Sequence, residues 1–314
     1  MKENESKDLT LIQIIDQFPT DEAARLHLEE IRWKDGIFCP HCKCSDQTKF
    51  STIAPNPAKK VRAGLRWCSN CEKQFTVTIG TIFEASHIPL RKWLIAFYMI
   101  CSSKKGISSL QLQRNLELGS YRTALFMAHR IRFALKDPTF SGKLSGTIEV
   151  DETYIGGKRK NVGRGCRDGK VPVVALLERG GRVRSQVMKR VSGKTLKAAV
   201  HKHVLPLSEI HTDENRGYCG VKTMYEHHTV KHAMGEYVRR EKNRTVTTNG
   251  VEGFFSLLKR GVIGTFHHVS EQHLPLYLAE FDHRHNTRFL TDGERTIQGI
   301  QKVEGKRLTY WQAS

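Results

Sequence analysis

The sequence predicts a multi-domain chain in which a small β ribbon and a helical region precede a C-terminal α/β domain. Three observations carry that prediction. Cysteines come in paired C-x-x-C knuckles near the N-terminus, apolar periodicity is helical from Pro89 to about residue 138, and beyond it short apolar runs read as strands. At 314 residues the chain is too long for one ordinary domain. The divisions expected are 1–35 (helical), 36–85 (ribbon), 86–138 (helix-turn-helix), 145–292 (α/β) and 293–314 (tail).

Charge sets the class of partner. The chain has 51 Lys+Arg against 32 Asp+Glu, a net charge of +19. A protein this basic attracts polyanions, with counterion release driving the association. No long apolar run is present and the start M-K-E-N-E-S-K-D has no apolar signal core. No membrane partner is expected, and the expected compartment is the cytoplasm. Eight cysteines in such a chain point to metal ligation and free thiols, not to a disulfide framework.

The first 33 residues read as two helices. Leu9, Leu11, Ile14 and Ile15 share a face, Pro19 interrupts, and Thr20 caps a second helix through Leu28, Ile31 and Trp33. Cys39 and Cys42 (C-P-H-C) and Cys68 and Cys71 (C-S-N-C) then supply four thiolates, the tetrahedral set that structural Zn²⁺ prefers. The stretch between them reads as two strands around a turn marked by Pro and Gly. His41 and Cys44 are bystanders in the knuckle. Lys59, Lys60, Arg62 and Arg66 make one hairpin basic.

A helix is predicted from Pro89, with Leu90, Trp93, Leu94, Phe97 and Tyr98 as its apolar stripe. Helices over 108–116 and 121–135, joined by a turn at Gly119, match a helix-turn-helix. The second carries Arg122, His129, Arg130 and Arg132, and Arg122 and Arg130 are its expected DNA contacts. After a boundary at 138–145 come strands over G-T-I-E-V-D-E-T-Y-I, V-P-V-V-A-L-L-E-R and R-V-R-S-Q-V-M-K-R-V. A helix over 193–204 and short strands ending at Asp213 and over H-H-T-V-K-H follow. That order is the order of a ribonuclease-H-like α/β domain. The loop G-G-K-R-K-N-V-G-R-G-C-R-D-G-K holds six basic residues and five glycines beside Asp151. Lys158, Arg159, Lys160 and Arg164 are read there as a grip on DNA phosphates.

Three acids stand out by context. Asp151 lies in I-E-V-D-E-T-Y-I-G-G, Asp213 in E-I-H-T-D-E-N-R-G-Y, and Glu252 in N-G-V-E-G-F-F-S-L-L-K-R. Two strand-end aspartates and a helix-borne glutamate can converge on a pair of divalent cations, which relieve their mutual repulsion. Mg²⁺ (or Mn²⁺) suits hard oxygen ligands with open water positions. Lys259 lies two helical turns beyond Glu252 on the same face, placed to hold a phosphate, with Arg260 beside it as a further DNA contact. Glu152 reads as a solvated neighbour and Tyr154 as packing. Glu280, Arg284 and Arg288 read as a salt-bridged support for that helix.

These segments, behind a four-cysteine ribbon, resemble a bacterial insertion-sequence transposase of the zinc-ribbon kind with an acid-triad (DDE) core, related to the Merlin-type elements. The resemblance covers nearly the whole chain. It implies a ribonuclease-H-like catalytic domain, Mg²⁺ dependence, binding to terminal inverted repeats in double-stranded DNA, and strand transfer into target DNA. By position it makes Asp151 and Asp213 the first two metal ligands and Lys259 their basic partner. Some relatives count an asparagine in the third slot, here Asn249. Glu252 is preferred because a carboxylate binds Mg²⁺ more strongly than an amide. A homodimer or larger assembly is expected, since two element ends must be joined in one event. Such a protein would act on the bacterial nucleoid. The competing expectations are a catalytically inactive DNA-binding regulator and a nuclease that cuts without joining.

Overall fold

Hydroxyl side chains open most of the helices. Thr10, Thr20, Ser108, Ser192 and Thr291 each accept a backbone N–H of the first turn, supplying a partner that the helix itself cannot. The computed structural model describes residues 9–136, 142–156, 169–242 and 244–309. Its chain divides into two units, residues 1–135 with 289–314, and residues 136–288.

In the first unit, α1 (Leu11–Gln17) and α2 (Asp21–Arg32) flank the interruption at Pro19. The ribbon follows as an antiparallel sheet of β1 (Phe50–Thr52), β2 (Arg66–Cys68) and β3 (Lys73–Phe75) in the order β1-β2-β3. Two of its strands match the expected pair, and β3 adds the third. Helix α3 (Leu90–Ser102) is the centre of the unit, with ten of its residues buried. α4 (Ser109–Asn115) and α5 (Tyr121–Leu135) form the predicted helical pair.

Residues 293–314, expected as a tail, contribute instead to this unit. α9 (Asp292–Gln301) packs on α3, Ile300 and Val303 enter the core, and Arg295 donates to the carbonyl of Cys101 at 3.3 Å. The physical reason is that α9 is amphipathic, and its apolar edge needs a partner that the local sequence does not reveal.

The second unit is built on a five-stranded mixed sheet. β4 (Thr147–Ile155), β5 (Val171–Glu178) and β6 (Val183–Val187) form an antiparallel meander. α6 (Gly193–His203) leads to β7 (Glu209–Thr212), which pairs parallel with β4, and β8 (Glu226–Thr229) pairs parallel with β7. The sheet order is therefore β6-β5-β4-β7-β8.

Side chains of β4 alternate between two cores. Ile148 and Val150 join Leu196 and Val200 of α6, while Ile155 joins Val251, Phe254 and Leu258 of α7 (Asn249–Gly261). α8 (Leu274–Asn286) shares that second face. A separate hairpin of β9 (Val238–Glu241) and β10 (Arg244–Thr247), not anticipated from the sequence, leads into α7. Among the described residues no helix is long and apolar enough to cross a membrane.

Candidate functional site

Four sulfurs meet in the first unit. The Sγ atoms of Cys39 and Cys71 are 3.6 Å apart, those of Cys42 and Cys68 are 3.8 Å apart, and all four lie within 4.8 Å of one another. A tetrahedral Zn²⁺ with thiolates at its usual bond length needs sulfurs about 3.8 Å apart, close to the two pairs above, so the donor set suits zinc. The thiols are not equivalent. A hydrogen bond from the Asn70 side-chain amide pulls Cys42 down to about 6, whereas burial and neighbouring sulfurs push Cys71 up to about 12. Cys44 is outside the set.

In the second unit, parallel pairing of the interior strands β4 and β7 brings the two aspartates side by side. The β4–β7 register pairs Ile148 with Ile210 and Glu149 with His211, and continuing it by two residues sets Asp151 beside Asp213. β4 runs on past Asp151 to Ile155, so this aspartate is within the strand and not at its end. Asp213 is the first residue after β7, and Glu252 lies in the first turn of α7.

The three carboxylates share one electrostatic neighbourhood. Burial raises Asp151 to about 7, opposed by the backbone N–H of Glu152 at 2.7 Å and reinforced by the charges of Glu152, Asp213 and Glu252. Asp213 is also raised, first by burial and then by Glu214 and Glu252, against the Asn215 N–H at 3.1 Å and the His232 charge. Among the described residues only the cysteine set has all its ligand atoms within 4.8 Å, so the acids form a looser group. Glu252 already has partners. Its Oε1 accepts from Thr248 Oγ1 at 2.8 Å and lies 3.3 Å from His232 Nε2.

Other expected site residues divide by exposure. Asn249, Lys259 and Arg260 are exposed on α7, and Arg260 Nε donates to the Ser256 carbonyl at 3.1 Å. Arg122 is exposed at the start of α5. Arg130, expected as a DNA contact, turns inward: it is 5 % exposed, donates to the Glu84 carbonyl at 2.8 Å and lies against Trp93 and Phe126. Its helix face is apolar, with Met127, Ile131 and Ala134 buried beside it, so the guanidinium is packed and unavailable to phosphate. His129 and Arg132 are buried as well. Lys158, Arg159, Lys160 and Arg164 lie outside the described residues. Arg284 pairs with Glu280 at 2.6 Å on α8.

Several polar residues around the acids escaped the sequence reading. Glu149, 2 % exposed, accepts from the backbone N–H of Val251 at 3.1 Å and from Arg179 Nη2 at 3.0 Å. Arg179 also reaches His211 Nδ1 at 3.1 Å and the Thr245 carbonyl at 2.8 Å. Glu152 is half-buried and engaged on both oxygens, since Tyr218 Oη donates to one at 2.7 Å and the Asn215 side-chain amide donates to the other. A signal for Glu149 was present: it is two residues before Asp151, hence on the same face of the strand, in an otherwise apolar run.

Comparison with known proteins agrees with this division. Residues 19–74 match the transposase zinc-ribbon domain, and residues 143–286 match the ISXO2-like transposase domain. Over 305 residues the chain is 27 % identical to an "uncharacterized protein in transposable element ISH50" of Halobacterium salinarum, covering 91 % of this chain and 97 % of that one. With a four-thiol cluster in the ribbon and a mixed sheet in the second region, residues 19–74 and 143–286 carry the zinc-ribbon and transposase domains of the IS1595 insertion-sequence transposases.

Proposed function

We propose that the protein cuts phosphodiester bonds at the ends of an insertion sequence and joins the freed 3′-hydroxyls to target DNA. The observation that carries this reading is the convergence of Asp151 and Asp213 by the β4–β7 register in a partly buried site where both also feel the charge of Glu252. Carboxylates gathered in a partly buried site are stabilised by a cation among them. The sheet order β6-β5-β4-β7-β8, with three antiparallel strands followed by two parallel ones, supports a ribonuclease-H-like domain.

The donor set is oxygen only, which suits Mg²⁺ or Mn²⁺. Asp151 and Asp213 would hold the metal, with Glu252 in the third position in preference to Asn249, since it is Glu252 whose charge both aspartates feel. A pair of such ions supplies activation of the attacking oxygen and charge relief on the leaving 3′-oxygen. The chain's own residues do the rest. Asp151 must lose its proton to serve as a ligand, and its raised affinity makes that the step most sensitive to pH near neutrality. Glu252 must exchange its contact with His232 for the new ligand role. Lys259, about 10 Å further along the same face of α7, holds a phosphate of the bound strand. The ribbon, Arg122 in the helical pair and the basic residues 158–164 grip the DNA backbone, and two copies bring two ends together.

The test uses purified protein, labelled element-end DNA and Mg²⁺ or Mn²⁺, comparing wild type with Asp151→Ala and Asp213→Ala. Nicking at the 3′ ends and joining by wild type, with both variants binding DNA but doing neither, is the expected result. Sequence-specific binding without any metal-dependent cleavage by wild type would instead make the protein a DNA-binding regulator.

A further inference from the structure

β4 carries Glu149, Asp151, Glu152 and Thr153 within five residues, and two of them serve the other acid-bearing segments. Glu149 points to the α7 side. One carboxylate oxygen accepts the Val251 N–H at 3.1 Å, which is the residue before Glu252, and the other accepts Arg179 Nε at 3.2 Å and Nη2 at 3.0 Å. A negative charge at a helix N-terminus is favoured by the helix dipole and satisfies a backbone donor the helix cannot. The fit is close: a Cβ on Gly250 would come within 2.7 Å of the Glu149 carboxylate. Arg179 extends the clamp to the Thr245 and Thr247 carbonyls, the strand that leads into α7.

Glu152 points to the opposite face. Its carboxylate takes the hydroxyl of Tyr218 at 2.7 Å on one oxygen and the side-chain amide of Asn215 on the other. Asn215 in turn accepts the Gly217 N–H at 2.8 Å and gives its own N–H to Asp213 Oδ1 at 3.1 Å. Tyr218 is 1 % exposed, so its hydroxyl is committed to this bond.

The geometry points to Glu149 and Glu152 as a pair of positioning residues: Glu149 sets the first turn of α7 that bears Glu252, and Glu152 sets the loop that bears Asp213. One strand thus holds Asp151 and orients the two segments that must meet it. The assignment rests on the proposed role of the three acids, and it adds which residues keep them together without touching DNA.

Glutamine is the informative substitution at both sites. Each carboxylate accepts donors on both oxygens, and an amide turns an N–H₂ toward one of them at unchanged shape. The full-length zinc-loaded protein is measured without DNA, as wild type, Glu149→Gln and Glu152→Gln. Gly250→Ala and Tyr218→Phe disturb the same two contacts from the partner side with the charges left in place. Amide hydrogen exchange is followed by mass spectrometry, and Mn²⁺ binding by electron paramagnetic resonance.

Glu149→Gln and Gly250→Ala are expected to speed exchange in 249–255 only, and Glu152→Gln and Tyr218→Phe in 213–219 only. Mn²⁺ affinity is expected to fall about 10-fold or more in both Gln variants, the size usual for residues that support metal ligands. Unchanged exchange in both segments overturns the assignment. So does faster exchange throughout residues 142–288 with Mn²⁺ affinity per folded molecule unaltered, which is what a general stabilising role produces. If wild type binds no Mn²⁺ while exchange changes segment by segment, the metal reading of the three acids fails and the clamps stand.

Discussion

His232 Nε2 lies 3.3 Å from Glu252 Oε1, and both bond to Thr248 Oγ1, at 3.2 and 2.8 Å. The carboxylate expected to meet a cation is thus already engaged by an imidazole from the segment before β9. A partly exposed contact of this kind is worth up to about 1 kcal/mol, or roughly fivefold in affinity. His232→Ala should therefore tighten Mn²⁺ binding by about two- to fivefold in a direct titration. Equal affinities in the two proteins would mean that the imidazole does not compete.

Asp151 is raised to about 7 by burial and by neighbouring carboxylates. A raised acid favours the folded state while protonated. That stability is present in full below the ordinary carboxylate range and is lost as pH rises through about 7. Metal-free protein should therefore melt lower at pH 8 than at pH 5.5, and Asp151→Asn should flatten the slope. Mg²⁺ binds the ionised form, so metal affinity should rise with pH, and excess Mg²⁺ should shift the ionisation of Asp151 below its metal-free value. A pH-independent melting temperature in metal-free wild type would contradict the environment described for Asp151.

The ribbon should carry one zinc per chain. Its three strands are three residues each, too little structure to fold on burial alone, so metal binding contributes much of the folding energy of residues 39–75. Cys68→Ser should cut the zinc content measured by atomic emission from one to near zero after dialysis against a mild chelator. Full retention would show that three thiolates suffice.

The two arginines of α5 should behave oppositely. Arg130→Ala removes a buried side chain packed on Trp93, with an expected loss of about 2 kcal/mol or more in urea unfolding. Arg122→Ala should leave stability within about 0.5 kcal/mol. It should weaken DNA binding and lower the slope of affinity against salt by about one. A stability loss at Arg122 equal to that at Arg130 would remove the distinction.

Local patterns account for what was readable in advance. Thr20 and Ser108 were visible as caps, and the strands over 147–155, 171–178 and 183–187 were visible as apolar runs between turn residues. The hairpin of β9 and β10 was not, because V-R-R-E and R-T-V-T have too little apolar alternation to stand out from a charged loop. Arg130 was misread for a related reason. A basic residue on a helix suggests a solvent face by composition, but its packing against Trp93 depends on a residue 37 positions earlier in the chain.

The sequence by itself determined the four cysteines of the ribbon, the first helices and the strands β4 to β6, and the three acids of interest, because each is written in spacing over a few residues. Tertiary structure alone decided that Glu149 and Glu152 are committed to backbone and side-chain donors about 100 and 65 positions away. It also decided that residues 289–314 belong with the N-terminal unit. The reason is physical: a carboxylate looks the same in sequence whether solvated or clamped, and only the packing of distant segments removes its water and supplies the donors that replace it.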